Sequence, residues 1–421
     1  MRGQLRQTAV YIGGVGGRRP RVPTDGTRLE EAARPTMSRE AFAYIAGGAG
    51  SGATMRANRA AFDRHRIVPR MLRDASRRDL SVELLGRRLD SPLLLAPIGV
   101  LEMVHRQADL AVARAAREAG VPMVLSSQAS RPMEAVAAEL GDSPRWFQLY
   151  WSTSDELVAS FAGRAEAAGC EAIVVTLDTT LLGWRTHDLD LAYLPFLEGK
   201  GIAQYTSDPV FRRLLHDPPP SESPDPPQPR PTPKAIATLL KMARAYPGPA
   251  LQALRSGDAR AAVQRFTQIY SRPSLTWENL AFLRERTALP ILLKGILHPD
   301  DARRAIEAGM DGIVVSNHGG RQVDGATATL DALPAIAAAV ENRIPILLDS
   351  GIRGGADVFK AIALGATAVL LGRPYVYGLS IAGAAGVREV VDNVLAELDL
   401  TLGLAGCRSL ADVGPELLAT P

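Results

Sequence analysis

The chain of 421 residues has few cysteines, few aromatic residues and no long apolar run. Its two cysteines, Cys170 and Cys407, are too few for a disulfide framework, which agrees with a reducing compartment. The longest apolar stretches, such as 93–98, are much shorter than the ~18–20 residues that a membrane span requires. The N-terminus has scattered arginines but no continuous apolar core, so no secretory signal is expected. We therefore predict a cytoplasmic protein with no membrane partner.

An excess of charge of either sign is also lacking. Lys and Arg total 48 against 45 for Asp and Glu, and the net charge is only +3. Because no basic block alternates with aromatic residues, nucleic acid is not an expected partner. Apolar residues make up 46% of the chain, a proportion typical of folded globular proteins rather than disordered ones. Only five residues are lysine, which makes each lysine informative.

A recurring pattern of helix, glycine and apolar strand runs through most of the chain. Alanine-rich helical segments end at Gly120, Gly169, Gly309 and Gly365, where glycine suits the left-handed conformation just past a helix end. The apolar runs that follow do not alternate with polar residues, which is typical of parallel strands buried on both faces. Eight such runs occur, at 93–99, 121–127, 145–151, 172–178, 289–295, 312–318, 344–350 and 368–374.

Eight strand–helix units in one chain predict an α/β fold of the closed (β/α)8 TIM-barrel type. The alternative is a doubly wound open sheet, but no Gly-x-Gly-x-x-Gly motif follows the first strand. In this interpretation residues 91–421 form the barrel. Residues 1–90 are an N-terminal extension with a helical cap, which covers the bottom or side of the barrel and is flexible around the glycines between 13 and 17.

A long insertion at 186–275 separates the fourth and fifth strands, where a loop usually has about 2–6 residues. Within it, the segment 217–233 has nine prolines in 17 positions, a composition that predicts an exposed linker. Helices are expected on both sides of this linker, at 234–245 and 259–269. Because the insertion leaves the C-terminal face of the barrel, it is expected to contain a lid, with Tyr205 as a candidate lid residue.

The reactive groups of a TIM barrel lie at the C-terminal ends of its strands, and polar or charged residues end all but the first of the runs. His318 ends the sixth run and Asp178 ends the fourth. A carboxylate there can orient the imidazole of a catalytic base and favour its protonated form. Arg321 and Arg185 can together grip a carboxylate. The alternatives are a structural histidine and surface salt bridges.

Two further groups of residues at strand ends indicate sites that bind anionic groups. Lys294 ends an apolar strand, where a buried ammonium requires an anionic partner, although a snorkelling or Schiff-base lysine remains open. Glycine-rich turns with Arg353 and Arg373 follow the seventh and eighth strands, the common phosphate position of TIM barrels. The residues thus predict a phosphorylated ligand beside a His–Asp base and an anion-binding arginine pair. No metal site is expected.

One motif carries a family resemblance: residues 316–322 read SNHGGRQ. This motif closely resembles the active-site signature of the FMN-dependent L-2-hydroxy acid oxidases and dehydrogenases, such as glycolate oxidase. The resemblance extends from about Tyr44 to Arg408. Within the family, the motifs at 97–100, 176–179, 183–185, 195–197, 208–211, 294–296 and 298–304 are most similar to those of lactate 2-monooxygenase. The resemblance implies FMN as cofactor, a small lactate-like 2-hydroxy acid as substrate and O2 as electron acceptor.

The same resemblance implies a role for each site residue. His318 would be the base with Asp178 behind it, and Arg185 and Arg321 would bind the substrate carboxylate. Tyr44 and Tyr150 would bond the substrate carboxylate and hydroxyl, and Lys294 would lie beside flavin N1 and O2. The residues implied to hold FMN are Pro97, Ile98 and Gly99 near N5, Ser126, Gln148, Thr176 and Ser316 at the flavin or its ribityl chain, and Asp349, Gly351, Arg353, Gly372 and Arg373 at the ribityl and phosphate groups.

Two features favour the lactate monooxygenase outcome, in which hydrogen peroxide decarboxylates a trapped 2-oxo acid. Gly99 stands where oxidases of the family often have alanine, and the long insertion can hold a lid shut. Gln128 departs from the family pattern, because its position beside the substrate side chain is often aromatic or aliphatic; the natural substrate therefore stays open. Proton removal from carbon or from the hydroxyl also stays open.

Several alternative functions remain at this stage. They are a peroxide-releasing oxidase, a quinone-linked dehydrogenase, a non-redox FMN barrel similar to type 2 isopentenyl diphosphate isomerase, and a non-catalytic phosphate-binding protein. Arg185 and Arg321 around His318 suit a carboxylate better than a diphosphate, which disfavours the isomerase. By analogy with the family, we also expect a homo-oligomer, either a tetramer or an octamer.

Overall fold

Eight parallel strands close into a barrel in the computed structural model, which describes residues 2–217 and 232–419. We label them β1 to β8 in chain order, with the bounds Leu93–Leu95, Met123–Leu125, Arg145–Leu149, Ile173–Thr176, Ile291–Ile296, Gly312–Val315, Ile346–Leu348 and Ala368–Leu371. Each strand pairs with the next along the chain, and β8 pairs with β1, where Leu371 lies opposite Leu95. The predicted TIM barrel is confirmed.

The barrel strands are buried on both faces, which explains why their sequences do not alternate. One set of side chains fills the barrel, and the next residue along each strand packs outward against the helices. The inner set takes one residue from each strand: Leu94, Val124, Trp146, Val174, Leu292, Val314, Leu347 and Leu370. The strands are shorter than the predicted runs, because several runs begin before the ladder and most extend past it, although Thr176 and Lys294 remain paired within it.

Helices form the outer layer of the barrel. Their bounds are Ala108–Ala119, Met133–Leu140, Asp155–Ala167, Asn279–Arg284, Pro299–Glu307, Thr329–Val340, Gly355–Ala363 and Arg373–Leu404. The last one has a kink at Ala382 and Gly383. The four glycines that the sequence pattern singled out lie just past helix ends and all have positive φ, from 69° to 109°. Their predicted left-handed conformation is therefore confirmed.

The N-terminal extension consists of helices Arg2–Val15, Leu29–Ala33, Arg39–Ala46 and Ala53–Arg64, followed by a hairpin of Val82–Leu84 and Arg87–Leu89. Strand Arg66–Ile67 pairs with Leu418–Ala419 near the C-terminus. The expected flexible start is instead helical as far as Val15. Gly3 packs against Leu400 in the long C-terminal helix, and its N–H donates to the Asp399 carboxylate at 2.8 Å. The absence of a side chain at Gly3 permits this close approach.

The insertion between β4 and β5 is mainly helical. Its α-helices are Thr186–Asp190, Ala203–Thr206, Pro209–Arg213, Pro233–Ala245, Ala250–Ser256 and Asp258–Ile269, so both predicted flanking helices are confirmed. Most of the proline-rich segment at 217–233 lies outside the described residues. In the described part of the chain, no helix is both long enough and apolar enough to cross a bilayer.

Tyr205 anchors the insertion and does not lie on a lid surface. Its ring is fully buried, with centroids 4.8 Å from Phe266, 5.1 Å from Phe161 and 5.4 Å from Phe211. Edge-to-face contacts of this kind add to the apolar area that each ring buries. The expectation that Tyr205 is a lid or surface aromatic is wrong, because this cluster packs the insertion against helix Asp155–Ala167.

Candidate active site

A deep pocket opens at the carboxyl ends of the barrel strands. It contains about 880 Å³ of empty space, a figure that includes space open to solvent. Most of the site residues predicted from the sequence line it, although they come from distant parts of the chain. They are Tyr44, Pro97, Ile98, Gly99, Tyr150, Arg185, Lys294, His318, Arg321, Asp349, Gly351, Arg353, Gly372 and Arg373.

His318 and Asp178 form a hydrogen-bonded pair at this pocket. Nδ1 of His318 lies 2.8 Å from Oδ1 of Asp178, which also accepts a bond of 3.0 Å from the Thr179 hydroxyl. Among the described residues, no protein group bonds Nε2 of His318. Because His318 lines the pocket and Asp178 lies behind it, the imidazole presents one ring nitrogen to the carboxylate and keeps the other for a ligand.

Burial and charge set the protonation states of this pair. Burial lowers the pKa of His318 below its ordinary value of 6.5, and the charges of Lys294 and Arg185 act in the same direction, against Asp178. Burial disfavours ionisation of Asp178, but His318, Lys294 and the Thr179 bond together lower its pKa to about 2. Asp178 does favour the protonated form of His318, as expected, but burial and the two positive charges outweigh it. At neutral pH the pair is an ionised Asp178 and a neutral imidazole, the state that a general base requires.

Arg321 and Arg185 supply positive charge next to the pair. Nη1 of Arg321 donates to the carbonyl oxygens of Tyr44 and Gly47, and the guanidinium lies 4.8 Å from the centroid of the Tyr44 ring. Nη2 of Arg185 donates to Oε1 of Gln322 at 3.1 Å. Burial and the neighbouring Arg185 lower the pKa of Arg321 to about 9. In the described ranges, neither guanidinium has a carboxylate within 4 Å, so both can bind an anionic ligand.

A second pair of arginines, both half-buried, follows β7 and β8. Arg373 donates to the carbonyl oxygens of Ile45, Gly47 and Gly319 at 2.8–2.9 Å, and burial lowers its pKa. Burial also lowers the pKa of Arg353 to about 10. Neither has a carboxylate within 4 Å in residues 2–217 and 232–419. Two desolvated cations beside glycine-rich turns fit a phosphate group.

Lys294 already has an anionic partner in the protein. Its Nζ lies 3.2 Å from Oδ2 of Asp349 and donates to the Ser316 hydroxyl at 2.8 Å. Although burial disfavours the charged form, Asp349 and Asp178 raise the pKa of Lys294 overall. Lys294 is therefore a charged ammonium that lines the pocket. It is neither a snorkelling lysine nor the neutral amine that a Schiff base needs.

Several predicted residues lie beneath the pocket rather than on its wall. The Ser126 hydroxyl donates to Oε1 of Gln148 at 3.0 Å, and Nε2 of Gln148 donates to the Thr176 hydroxyl at 3.0 Å. This buried chain joins β3 and β4 to the loop after β2, while Ser316 receives the bond from Lys294. These four residues do come together, but direct contact with a cofactor stays a prediction for each of them.

The sequence pattern missed some of the pocket wall. The additional lining residues are Ile45, Ala96, Gly319, Ser350, Ile352 and Leu370. Most of these residues are next to a predicted residue in the sequence, so the only feature that could have indicated them was their position beside a strand end. Gln128 also lines the pocket, and its side-chain amide has no hydrogen-bond partner among the described residues. Within the same part of the chain, no group of three or more potential metal ligands occurs.

Comparison with known proteins identifies the family. Residues 33–420 match the family model described as FMN-dependent dehydrogenase. The chain belongs to this family. It is 44% identical over 407 residues to the FMN-dependent alpha-hydroxy acid dehydrogenase qulF of Penicillium citrinum, an alignment that covers 96% of this chain and 93% of that protein. It is 43% identical over 382 residues to an L-lactate oxidase of Lysinibacillus sphaericus, with coverages of 91% and 89%.

Solved structures lead to the same family. A crystal structure of mandelate oxidase with (S)-4-hydroxymandelic acid superposes with a TM-score of 0.77 at 36% identity, and the match covers 95% of this chain and 99% of that one. The predicted family and FMN dependence are therefore confirmed, as is the coarser assignment to FMN-dependent 2-hydroxy acid oxidoreductases.

The residues of the pocket fit FMN. The cofactor carries a phosphate, and Arg353 and Arg373 are half-buried guanidiniums that lack a carboxylate within 4 Å in the described ranges. Lys294 places a charged ammonium in the same pocket, where it would stabilise negative charge on a reduced flavin. Arg185 and Arg321 remain for a second anion. The pocket thus provides for two anionic groups, one on the cofactor and one on a substrate.

Proposed function

We propose that this protein oxidises a small L-2-hydroxy acid to the 2-oxo acid with O2 as electron acceptor, and that it then decarboxylates the product as lactate 2-monooxygenase does. The observation that carries the oxidation is the position of the His318–Asp178 pair beside Arg185 and Arg321. These four side chains suit a substrate that has both an acidic proton to remove and a carboxylate to hold.

In this proposal Arg321 and Arg185 hold the substrate carboxylate, and Nε2 of His318 takes the proton. Asp178 then stabilises the imidazolium across the 2.8 Å bond. Burial raises the pKa of the Tyr150 hydroxyl, so Tyr150 stays protonated and can donate to the substrate hydroxyl. Tyr44 completes the carboxylate site from the N-terminal extension. FMN, when bound, would accept the two electrons of the oxidation together with the second hydrogen that the substrate loses.

Two contacts support retention of the product for decarboxylation. The insertion contacts the pocket residue Gln128 at Gly201, which packs against Val100 and the Gln128 carbonyl and whose N–H donates to Glu102 at 2.8 Å. Gly99 approaches the same residue, because a Cβ there would lie 2.8 Å from the Gln128 carbonyl oxygen. A closed rim that excludes water would keep peroxide and oxo acid together.

The first experiment is a screen of L-2-hydroxy acids by anaerobic bleaching of the flavin absorbance. We expect at least one small L-2-hydroxy acid to reduce the flavin of the purified holoprotein, and His318→Gln to retain FMN while losing about 10²–10⁴-fold in the rate. No bleaching by any 2-hydroxy acid would reject the oxidation and favour a non-redox barrel. Full reduction by His318→Gln would reject the base.

A second experiment separates the outcomes after reduction. With the best substrate, O2 uptake, H2O2, CO2 and the organic product are measured together. We expect CO2 and the shortened acid in proportion to O2. Stoichiometric peroxide without CO2 would instead indicate the oxidase outcome, which the similarity to proteins named L-lactate oxidase supports. Turnover with a quinone acceptor but not with O2 would indicate a dehydrogenase, the name that the Penicillium relative has.

A further inference from the structure

A side chain outside the barrel is bonded to the catalytic loop. Asn58 lies in helix Ala53–Arg64 of the N-terminal extension and is only 2% exposed. Its Nδ2 donates to Oδ1 of Asn317 at 2.9 Å, and Nδ2 of Asn317 donates back to Oδ1 of Asn58 at 2.8 Å. The two amides, 259 positions apart, form a reciprocal pair in the interior. Asn58 does not line the pocket.

Asn317 in turn holds both ends of the loop after β6. Its Oδ1 accepts from the Gly320 N–H at 3.0 Å, and its Nδ2 donates to the Thr327 carbonyl at 3.1 Å. On the far side, the Thr329 N–H donates to Oδ1 of Asn58 at 3.3 Å. Through these hydrogen bonds the amide pair connects the start of the loop to its end. Because the bonds share the same two amide groups, loss of one side chain removes or weakens several of them.

The loop needs such support because its backbone is strained. His318, Gly319 and Gly320 have φ values of 56°, 67° and 74°, so three residues in succession are left-handed. A residue with a Cβ rarely adopts this conformation unless its surroundings fix it. Several bonds fix the turn: the Gly320 N–H donates to Oδ1 of Asn317, the His318 N–H donates to the Ser316 hydroxyl at 3.1 Å, and the Gly319 N–H donates to the Ser350 hydroxyl at 2.9 Å. Arg373 also donates to the Gly319 carbonyl at 2.9 Å.

We propose that Asn58 is a positioning residue for the catalytic base. Through Asn317 it holds the left-handed turn at His318, and the turn keeps the imidazole in hydrogen-bonding distance of Asp178. This inference rests on the proposed role of His318. An asparagine is required at position 58 because each side chain of the pair must supply one donor and one acceptor, and both must reach the partner amide from a side chain of this length. An aspartate would accept but not donate, and an alanine would do neither.

The kinetic test is a double-mutant cycle on the holoprotein with Asn58→Ala and Asn317→Ala. We expect each single variant to reduce its flavin about ten- to a hundredfold more slowly with the best substrate, since small displacements of reacting groups have effects of this size. The double variant should be no slower than Asn317→Ala alone, because Asn58 acts only through that residue. FMN content per chain should match the wild type.

A second readout needs no turnover. The chain has six histidines, so ¹⁵N-histidine spectra are simple, and the His318 signal is the one that disappears in His318→Gln. The charged groups that face His318 are Asp178, which raises its pKa, and Lys294 and Arg185, which lower it. If Asn58→Ala loosens the contact with Asp178, the pKa of His318 falls. A purely structural role for Asn58 would leave this titration unchanged.

The matched control is Ala61→Gly on the same helix. It weakens the helix, because glycine has a lower helix propensity than alanine, and it alters no polar bond of the loop. We expect a lower melting temperature with a wild-type reduction rate and a wild-type His318 titration. If Asn58→Ala does not accumulate as folded protein, Asn58→Ser replaces it in the rate and titration measurements. The serine hydroxyl keeps an oxygen that can accept a bond from Asn317.

Two results would overturn the inference. One is a wild-type reduction rate together with a wild-type His318 titration in the Asn58 variant. The other is an equal loss in Ala61→Gly, which would assign the effect to helix stability. Failure of the wild type to be reduced by any 2-hydroxy acid would instead overturn the proposed function, and the titration would still report whether Asn58 positions His318.

Discussion

Nδ1 of His318 lies 2.8 Å from Oδ1 of Asp178, although 140 positions separate the two residues in the chain. Asp178 follows β4 and His318 follows β6, and both strands pair with β5, so formation of the parallel sheet brings the two residues together. The carboxylate is ionised and the imidazole is neutral at neutral pH, because burial lowers the pKa of His318 while neighbouring positive charge lowers that of Asp178. The proposed base is therefore already neutral before substrate binds.

The first prediction concerns the pH dependence of kcat/KM. Catalysis needs neutral His318, so kcat/KM should rise as pH rises through the pKa of His318 and level off, with the acid limb below 6.5. Asp178→Asn removes the charge that raises this pKa. We expect its acid limb at lower pH and a rate at least about tenfold lower at pH 7, because the imidazolium loses its partner.

The control for this profile is Asp399→Asn. Asp399 forms a buried ion pair with Arg78 far from the pocket, so its loss should affect the melting temperature but not the pH profile. An acid limb that stays in place in Asp178→Asn would mean that Asp178 does not set the pKa of His318.

The second prediction concerns the phosphate end of the pocket. Arg353→Ala should weaken FMN binding by about ten- to a hundredfold, because a charge-assisted bond to a desolvated anion contributes roughly 1.5–3 kcal/mol. The measurement is flavin fluorescence during titration of the apoprotein. Arg213→Ala is the control, since this guanidinium is 61% exposed and pairs with Glu156. Equal dissociation constants for Arg353→Ala and wild type would remove Arg353 from the phosphate site.

The third prediction concerns substrate choice. The amide of Gln128 lines the pocket without a hydrogen-bond partner among the described residues, so a substrate with a polar C3 group should be favoured. L-Glycerate and L-2-hydroxybutyrate are a matched pair, with a hydroxyl or a methyl at that end. We expect Gln128→Leu to shift the ratio of their kcat/KM values about tenfold toward L-2-hydroxybutyrate. An unchanged ratio would show that Gln128 does not contact the substrate side chain.

The fourth prediction concerns stability away from the chemistry. Asp109 is buried and accepts a bond of 2.9 Å from the Ser130 N–H, and burial raises its pKa from 3.8 to about 7. The pKa of Asp109 is higher in the folded protein than in the unfolded chain. The contribution of Asp109 to the free energy of unfolding is therefore greatest below about pH 4 and falls as the pH rises toward 7. Asp109→Asn keeps an acceptor and cannot ionise. We expect it to be more stable than wild type at pH 8, by about 1 kcal/mol or more, with the difference vanishing near pH 4.

Melting temperatures across this pH range check the effect. Asp331→Asn, at an exposed pair with Arg64, should show only a small difference between the two pH values. A destabilised Asp109→Asn at pH 8 would mean that the charged form of Asp109 is stabilised by the fold.

Much of the fold and site was predictable from local sequence. The apolar runs and the glycines after helices gave all eight strands, because burial on both faces and the left-handed helix end each constrain residue type locally. Most of the pocket wall followed from one rule, that chemistry lies at strand ends. The position of Tyr205 was not predictable from local sequence, because the aromatic cluster that buries it is formed by residues from three separate segments of the chain.

The sequence by itself determined the barrel, the FMN-dependent family and the identity of the acid–base and arginine groups, because these depend on residue type and on spacing along single elements. Only the tertiary structure decided the protonation states and the supports. His318 is neutral because burial outweighs Asp178, and Lys294 is charged because Asp349 meets it. Asn58 gave no sequence signal, since its partner Asn317 lies 259 positions away. Desolvation and long-range pairing depend on three-dimensional neighbours, which residue order does not record.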